Sequence, residues 1–141
     1  MKRFTLASFV AMFLIPVICH AENWQKYFTT YTSKSNIIMS YECFYDTHSV
    51  NYIGKNIVRV WYKNGNISFS QNGTPLTLSG GGFPTTTELK EFDCPQRRYK
   101  ILSGKMIDEN EIRSLPESEA WHYPMPGDED EALYNIVCKS K

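Results

Sequence analysis

The chain has 141 residues, and its 15 basic and 15 acidic side chains give a formal net charge of zero at pH 7. A chain without a basic excess lacks the electrostatic attraction to phosphate on which nucleic-acid binding depends, so we expect no nucleic-acid partner. Nine tyrosines, eight phenylalanines and three tryptophans are more than a small core needs, and surplus aromatic side chains are typical of protein-binding surfaces.

The first 21 residues have the composition of a secretory signal peptide. Lys2 and Arg3 precede an apolar run, and the small Ala21 follows before the first acidic residue. The run is shorter than the roughly 20 residues that cross a bilayer, and no later segment is as long, so we expect no transmembrane segment. We predict export, with residues 1–21 removed and residues 22–141 forming one domain.

Cys19 offers an alternative, because a lipid on its thiol would tether the domain to a membrane. Lipoprotein processing needs a small residue directly before the cysteine, and Ile18 stands there. We therefore favour cleavage after Ala21. The mature chain then loses two basic residues and no acidic ones, which leaves 13 basic and 15 acidic residues and a net charge of −2.

The first half of the mature chain is rich in aromatic and β-branched residues separated by turn residues, a pattern typical of strands. Between two of these segments, Asn64-Gly65 predicts a two-residue hairpin turn, because both residues tolerate positive φ. The predicted strands are Trp24–Tyr31, Ile37–Tyr45, Asn56–Tyr62 and Asn66–Ser70.

Residues 71–87 contain four glycines, two prolines and five threonines, which predicts a long exposed loop. Loops on a rigid sheet often bind partners, so Phe83 is a candidate for a binding surface. The alternative is that Phe83 folds back onto the sheet.

Two further strands, over residues 87–94 and 98–103, are predicted on either side of a turn. Arg97 and Arg98 form the densest basic point of the chain and are candidates for gripping a carboxylate or a sulfated glycan. The alternative is that one arginine pairs with Asp93 or Glu91 across the turn while the other is solvated.

The C-terminal segment predicts the one helix of the domain. Four acidic residues follow Gly127, and carboxylates in a first turn face the positive end of the helix dipole. An apolar stripe predicts packing against the sheet: Ala132, Leu133, Ile136 and Val137, flanked by Tyr134 and Cys138. The preceding residues, 104–127, are polar, and Trp121 and Tyr123 are expected to anchor them.

No sequence motif indicates catalysis. His48 and His122 have no histidine or cysteine at metal-ligand spacing, and the glycines at 80–82 lack the residues of a phosphate-binding loop. We therefore predict no enzymatic activity, no metal site and no cofactor.

Three cysteines remain after cleavage, Cys43, Cys94 and Cys138, and two of them should pair in an oxidising compartment. Loops of 45 or 52 residues would each contribute about 4 kcal/mol on closure. The spacing therefore leaves the pairing open.

Four stretches resemble the surface-adhesin protein E family of exported bacterial proteins. They are NIVRVWYK at 56–63, ELKEFDCPQRRYKIL at 88–102, WHYPMPG at 121–127 and EALYNIVCK at 131–139. The resemblance implies an α+β fold, in which a single antiparallel sheet carries a C-terminal helix tethered by a disulfide. The matching cysteines are Cys94 and Cys138, so Cys43 is left as either a buried small residue or the site of an intermolecular disulfide.

The same resemblance implies a non-enzymatic protein that binds host matrix or plasma proteins, located in the periplasm, on the cell surface or outside a bacterium. Fold transfers between relatives better than function does. The alternative is a periplasmic structural protein, or a small-ligand protein with an apolar cleft between sheet and helix.

Overall fold

The computed structural model of the protein describes residues 22–76, 84–108 and 111–139. They form an eight-stranded antiparallel sheet and one C-terminal helix, so the predicted sheet and helix are confirmed. The share of sheet is larger than the α+β label implies. The elements are β1 (Trp24–Lys34), β2 (Ile37–Asp46), β3 (Asn51–Ile53), β4 (Ile57–Gln71), β5 (Thr74–Leu76), β6 (Thr85–Asp93), β7 (Arg98–Asp108), β8 (Glu111–Leu115) and α1 (Glu129–Lys139), with a 3₁₀ turn at Thr47–Ser49.

Strand β4 is the centre of the sheet. The strand order is β1-β2-β4-β6-β7-β8, and the short strands β3 and β5 also pair with β4. The predicted hairpin at Asn64-Gly65 is therefore wrong, because the chain runs straight through these residues. Gly65 is buried there, and a Cβ atom at this position would lie 3.2 Å from Cγ2 of Thr85.

The two-residue turn occurs instead at Asn72-Gly73, which joins β4 to β5. Both residues have positive φ, 50° and 81°, as a tight hairpin turn of this type requires. The predicted loop at 71–87 is correspondingly wrong at its two ends, which belong to strands. Its middle, including Phe83, lies outside the described residues.

Residues 104–127, for which only polarity and two anchoring side chains were predicted, contain the end of β7 and all of β8. Trp121 is half-buried, as expected of an anchor, but Tyr123 is 66% exposed and anchors nothing.

Helix α1 begins with a side-chain cap. The Asp128 carboxylate accepts a hydrogen bond from the backbone N–H of Glu131 at 2.7 Å, and the Glu131 carboxylate accepts one from the N–H of Gly127 at 2.8 Å. These bonds satisfy donors that a helix start leaves free. Leu133 and Val137 of the predicted stripe lie in the core and Ile136 packs against it, whereas Ala132 is not among the core residues. The core consists of these side chains: Cys43, Val58, Val60, Tyr62, Phe92, Leu133, Tyr134 and Val137.

A disulfide joins Cys94, just after β6, to Cys138 in the last turn of α1, as the resemblance implied. Cys43 is a free thiol with no exposed surface. An intermolecular disulfide at Cys43 would require the helix and the sheet to separate, so its burial favours the alternative of a small core residue.

Candidate functional site

The two faces of the sheet differ, because side chains alternate along each strand. On β4, Val58, Val60 and Tyr62 lie in the core under α1. The intervening side chains point to the opposite side, which we call the helix-free face. Its central residues are Trp24, Phe44, Trp61, Lys63, Thr87 and Lys105.

All three tryptophans of the chain lie on the helix-free face. Trp24 and Trp61 line one cleft, and Trp121 packs over Arg98 and Lys100 at the side near β7. Each is half-buried and none belongs to the core. The most interaction-prone side chains are thus concentrated on the side that the helix leaves open.

Two hollows cross this face and share Trp24. The first, of about 250 Å³, lies between Trp24 and Trp61 and extends to Ser103 and Lys105. The second, of about 350 Å³, is lined by Trp24, Phe44 and Lys63. We call the two together the tryptophan groove.

The walls of the tryptophan groove are held by local contacts. The indole N–H of Trp24 donates to a Glu22 carboxylate oxygen at 2.7 Å, and the Lys63 ammonium lies 4.3 Å from the centre of the Trp24 ring. Asp46 lines the cleft, is 7% exposed and accepts hydrogen bonds from the backbone N–H groups of Asn23 and His48. The groove is therefore preformed rather than assembled by a ligand.

A cluster of ion pairs centred on Glu91 lies beside the groove on the helix-free face. Glu91 is nearly buried and accepts from Arg59 at 2.7 Å, and it lies 3.4 Å from the Lys100 ammonium. These charges are already neutralised within the chain. They join β4, β6 and β7 through side chains next to the groove.

The two arginines predicted as binding residues also have partners. The Arg98 guanidinium lies 3.0 Å from Asp93, which is the pairing across the turn that the alternative interpretation expected. Arg97 is not simply solvated, because it lies 3.3 Å from Glu131 of α1 and covers the ring of Tyr134. Both arginines are away from the tryptophan groove.

A polar network lies on the other face, in the core beneath α1. The Lys90 ammonium contacts Asp130 of the helix at 2.6 Å and lies 3.7 Å from the Glu88 carboxylate. It also lies 3.9 Å from the centre of the Tyr62 ring. The Tyr62 hydroxyl lies 3.2 Å from that of Tyr41 and 3.9 Å from the Cys43 sulfur. The network ties the first turn of the helix to the middle of the sheet.

Burial raises the pKa of the Cys43 thiol to about 11 and raises that of the Tyr62 hydroxyl as well. We expect Cys43 in the native protein to resist iodoacetamide at pH 8 and to react once the protein is denatured. Because the folded state keeps these protons to higher pH than the unfolded state, stability should fall as the pH rises from about 9 to 11. Mass spectrometry of the native protein after alkylation tests the protection of Cys43, and rapid native alkylation would contradict it. Denaturation midpoints measured from pH 9 to 11 test the loss of stability.

The sequence interpretation missed Trp24, Trp61, Lys63 and Lys105 as members of one site. The alternation of residues 58–63 carried part of the signal, since Arg59, Trp61 and Lys63 alternate with core residues. Lys105 could not be added, because its position depends on the register of three strands.

The fold and site define a class of molecule: a sheet with one face covered by a disulfide-tethered helix and the other open and aromatic. Comparison with known proteins finds no match to a family model, to a curated protein or to a solved structure. No helix among the described residues is long and apolar enough to cross a membrane. In the same residues, no three histidine, cysteine or acidic side chains are grouped as metal ligands.

Proposed function

We propose that this protein is an exported, non-catalytic binding module that holds a protein partner on its helix-free face. The observation that supports the proposal is the position of the tryptophans, all three of which lie half-exposed on that one face. Tryptophan is enriched among the residues that dominate binding energy at protein interfaces. A rigid sheet that presents such side chains loses little conformational entropy on binding.

The kind of partner is proposed from the resemblance to the surface-adhesin protein E family. That resemblance favours host matrix or plasma proteins, and the disulfide is in keeping with an oxidising compartment. Residues 1–21 lie outside the described residues, so cleavage after Ala21 and the lipidation alternative at Cys19 stay predictions.

Solid-phase binding to laminin, vitronectin and plasminogen tests the proposal. We expect saturable binding of the mature protein to at least one of them, and Trp61→Ala should weaken it by about 2 kcal/mol or more, roughly thirtyfold in Kd. The control is Met125→Ala, which removes a side chain that is 68% exposed just before α1. The proposal fails if none of the three proteins binds, or if the two variants lose affinity equally.

The alternative of a small-ligand protein with a cleft between sheet and helix receives less support. That interface is filled by the side chains of the core, whereas the cleft of about 250 Å³ lies on the opposite face. Cell fractionation distinguishes the two functions, because protein found entirely inside the outer membrane would favour the periplasmic alternative over adhesion.

A further inference from the structure

We propose that this protein forms a symmetric dimer through β8, in which the β8 strands of two copies pair antiparallel with Ile112 directly opposite Ile112 of the second copy. The dimer goes beyond the proposed function, because it involves the edge of the sheet and a second copy of the chain rather than the tryptophan groove. Three features of β8 support it: an open backbone edge, an exposed apolar row and a charge pattern that is complementary to itself.

Strand β8 lies at one edge of the sheet. Among the described residues it pairs with β7 alone. The outer side of an edge strand presents N–H and C=O groups to which a further strand can add by main-chain hydrogen bonds. Four of the five residues of β8 are exposed, so this edge is accessible. The opposite edge strand, β1, shifts register between Lys26 and Phe28, and such an irregularity hinders pairing with another strand.

An apolar row on the helix-free face ends at β8. Ile107 lies two residues after Lys105 on β7 and therefore points to the same face, and Ile112 of β8 pairs with Ile107. Ile107 is 38% exposed, and Ile112 is 72% exposed, the largest value among the large apolar side chains of the described residues. A dimer centred on Ile112 extends this row to four adjacent isoleucines, two from each copy, so that each Ile112 side chain is covered by its equivalent.

The charges of β8 favour a second copy in this register. Glu111 and Arg113 flank Ile112, pair with each other within the chain and have side chains that are 66% and 59% exposed. In an antiparallel pair centred on Ile112, Glu111 of each copy lies opposite Arg113 of the other, and opposite charges at such positions stabilise a sheet. A pair centred on Glu111 or on Arg113 would instead set like charges opposite each other. The charge pattern therefore favours Ile112 as the centre.

An unbalanced carboxylate beside β8 also favours a second copy as the partner. Asp108 of β7 pairs with Glu111 of β8, and like charges directly opposite each other destabilise a sheet. Within residues 22–76, 84–108 and 111–139, no basic side chain lies within 4.0 Å of the Asp108 carboxylate. In the dimer, Arg113 of the second copy continues the row of Asp108 and Glu111, so it brings a cation to this acidic pair.

Charge reversal tests the dimer and its register. We expect sedimentation equilibrium of the mature protein, from about 5 to about 500 µM, to give a mass that rises towards that of a dimer. Arg113→Glu sets carboxylates opposite each other, and Glu111→Arg does the same with guanidinium groups, so each variant should associate about tenfold or more weakly than the wild type. The matched control is Lys34→Glu, which makes the same charge change as Arg113→Glu on an exposed residue of β1 and should associate like the wild type.

An equimolar mixture of Arg113→Glu and Glu111→Arg is the decisive sample. Every charged pair between these two variants is again of opposite sign, so the mixture should associate at least as strongly as the wild type, although neither variant alone does. Circular dichroism of each variant checks that it is folded. The inference is overturned if the mature protein stays monomeric across the concentration range, if association survives either reversal, or if the mixture of folded variants does not associate.

A disulfide locates the twofold axis. Ile112→Cys sets two thiols on directly opposite residues, where a disulfide can form, and mild oxidation should give a covalent dimer. The matched control is Ser114→Cys, because position 114 and its equivalent lie four residues, about 14 Å, apart along the paired strands. Cys43 has no exposed surface and should not contribute. Equal cross-linking of the two variants would overturn the proposed register.

Discussion

Replacing Lys90 with methionine is expected to lower the free energy of unfolding by about 3–5 kcal/mol. The Lys90 side chain is 5% exposed, and its ammonium lies 2.6 Å from the Asp130 carboxylate, which is itself 12% exposed. Lys90→Met leaves that carboxylate, and the Glu88 carboxylate 3.7 Å from the ammonium, without their cation. Urea denaturation followed by circular dichroism measures the change.

Two further variants make this expectation specific. Lys34→Met changes an exposed lysine in the same way and should alter stability by no more than about 0.5 kcal/mol. The triple variant Lys90→Met/Asp130→Leu/Glu88→Gln removes the ammonium and the charges of both carboxylates beside it, and it should recover much of the loss, because apolar side chains can replace a buried ion pair. Equal effects of Lys90→Met and Lys34→Met would show that the ion pair does not hold the helix.

Opening the disulfide should have an effect of similar size. Cys94 and Cys138 are 44 positions apart in the sequence. Closing a loop of that length lowers the entropy of the unfolded chain, which stabilises the folded state by about 4 kcal/mol. Without the bond, a helix of 11 residues is held only by packing, by its cap and by polar contacts to the sheet such as Lys90–Asp130. We therefore expect reductant to lower the free energy of unfolding by about 2–5 kcal/mol.

The control is a variant in which both Cys94 and Cys138 are alanine, which should be less stable and insensitive to reductant. If reductant still changed the stability of this variant, the effect would have to come from another bond. The expectation would be contradicted if the wild-type protein had the same denaturation midpoint with and without reductant. Because small domains are stable by only about 5–15 kcal/mol, losing both Lys90 and the disulfide should unfold a large fraction of the protein.

The sequence predicted the features that depend on local chemistry. Alternating β-branched and aromatic residues indicated the strands, and the acidic run after Gly127 indicated the helix start that Asp128 and Glu131 form. The pairing of Cys94 with Cys138 followed from the family resemblance, since loop entropy alone left it open.

The failures have a common physical cause, which is that tertiary pairing decides between locally equivalent sequences. Asn64-Gly65 and Asn72-Gly73 carry the same turn signal, but Gly65 pairs with Glu42 of β2 and lies against the side chain of Thr85 in β6, whereas Gly73 lies where β4 ends. Lys90 shows the same effect, because its alternation with Phe92 puts a charged residue on the buried face.

The site was the least predictable part for the same reason. Trp24, Trp61 and Lys105 come from β1, β4 and β7, and only the register of the sheet brings them to one cleft. Arg97 and Arg98, adjacent in sequence and basic, were easier to notice. Their charges are satisfied by Glu131 and Asp93.

Oxidative footprinting tests directly whether a protein partner covers the helix-free face. Hydroxyl-radical labelling of the mature protein, alone and with laminin, vitronectin or plasminogen, reports which side chains a partner covers. We expect labelling of Trp24 and Trp61 to fall on binding, while labelling of Met125, 68% exposed just before the helix, is unchanged. Protection of Met125 with both tryptophans still labelled, or no protection by any of the three proteins, would contradict it.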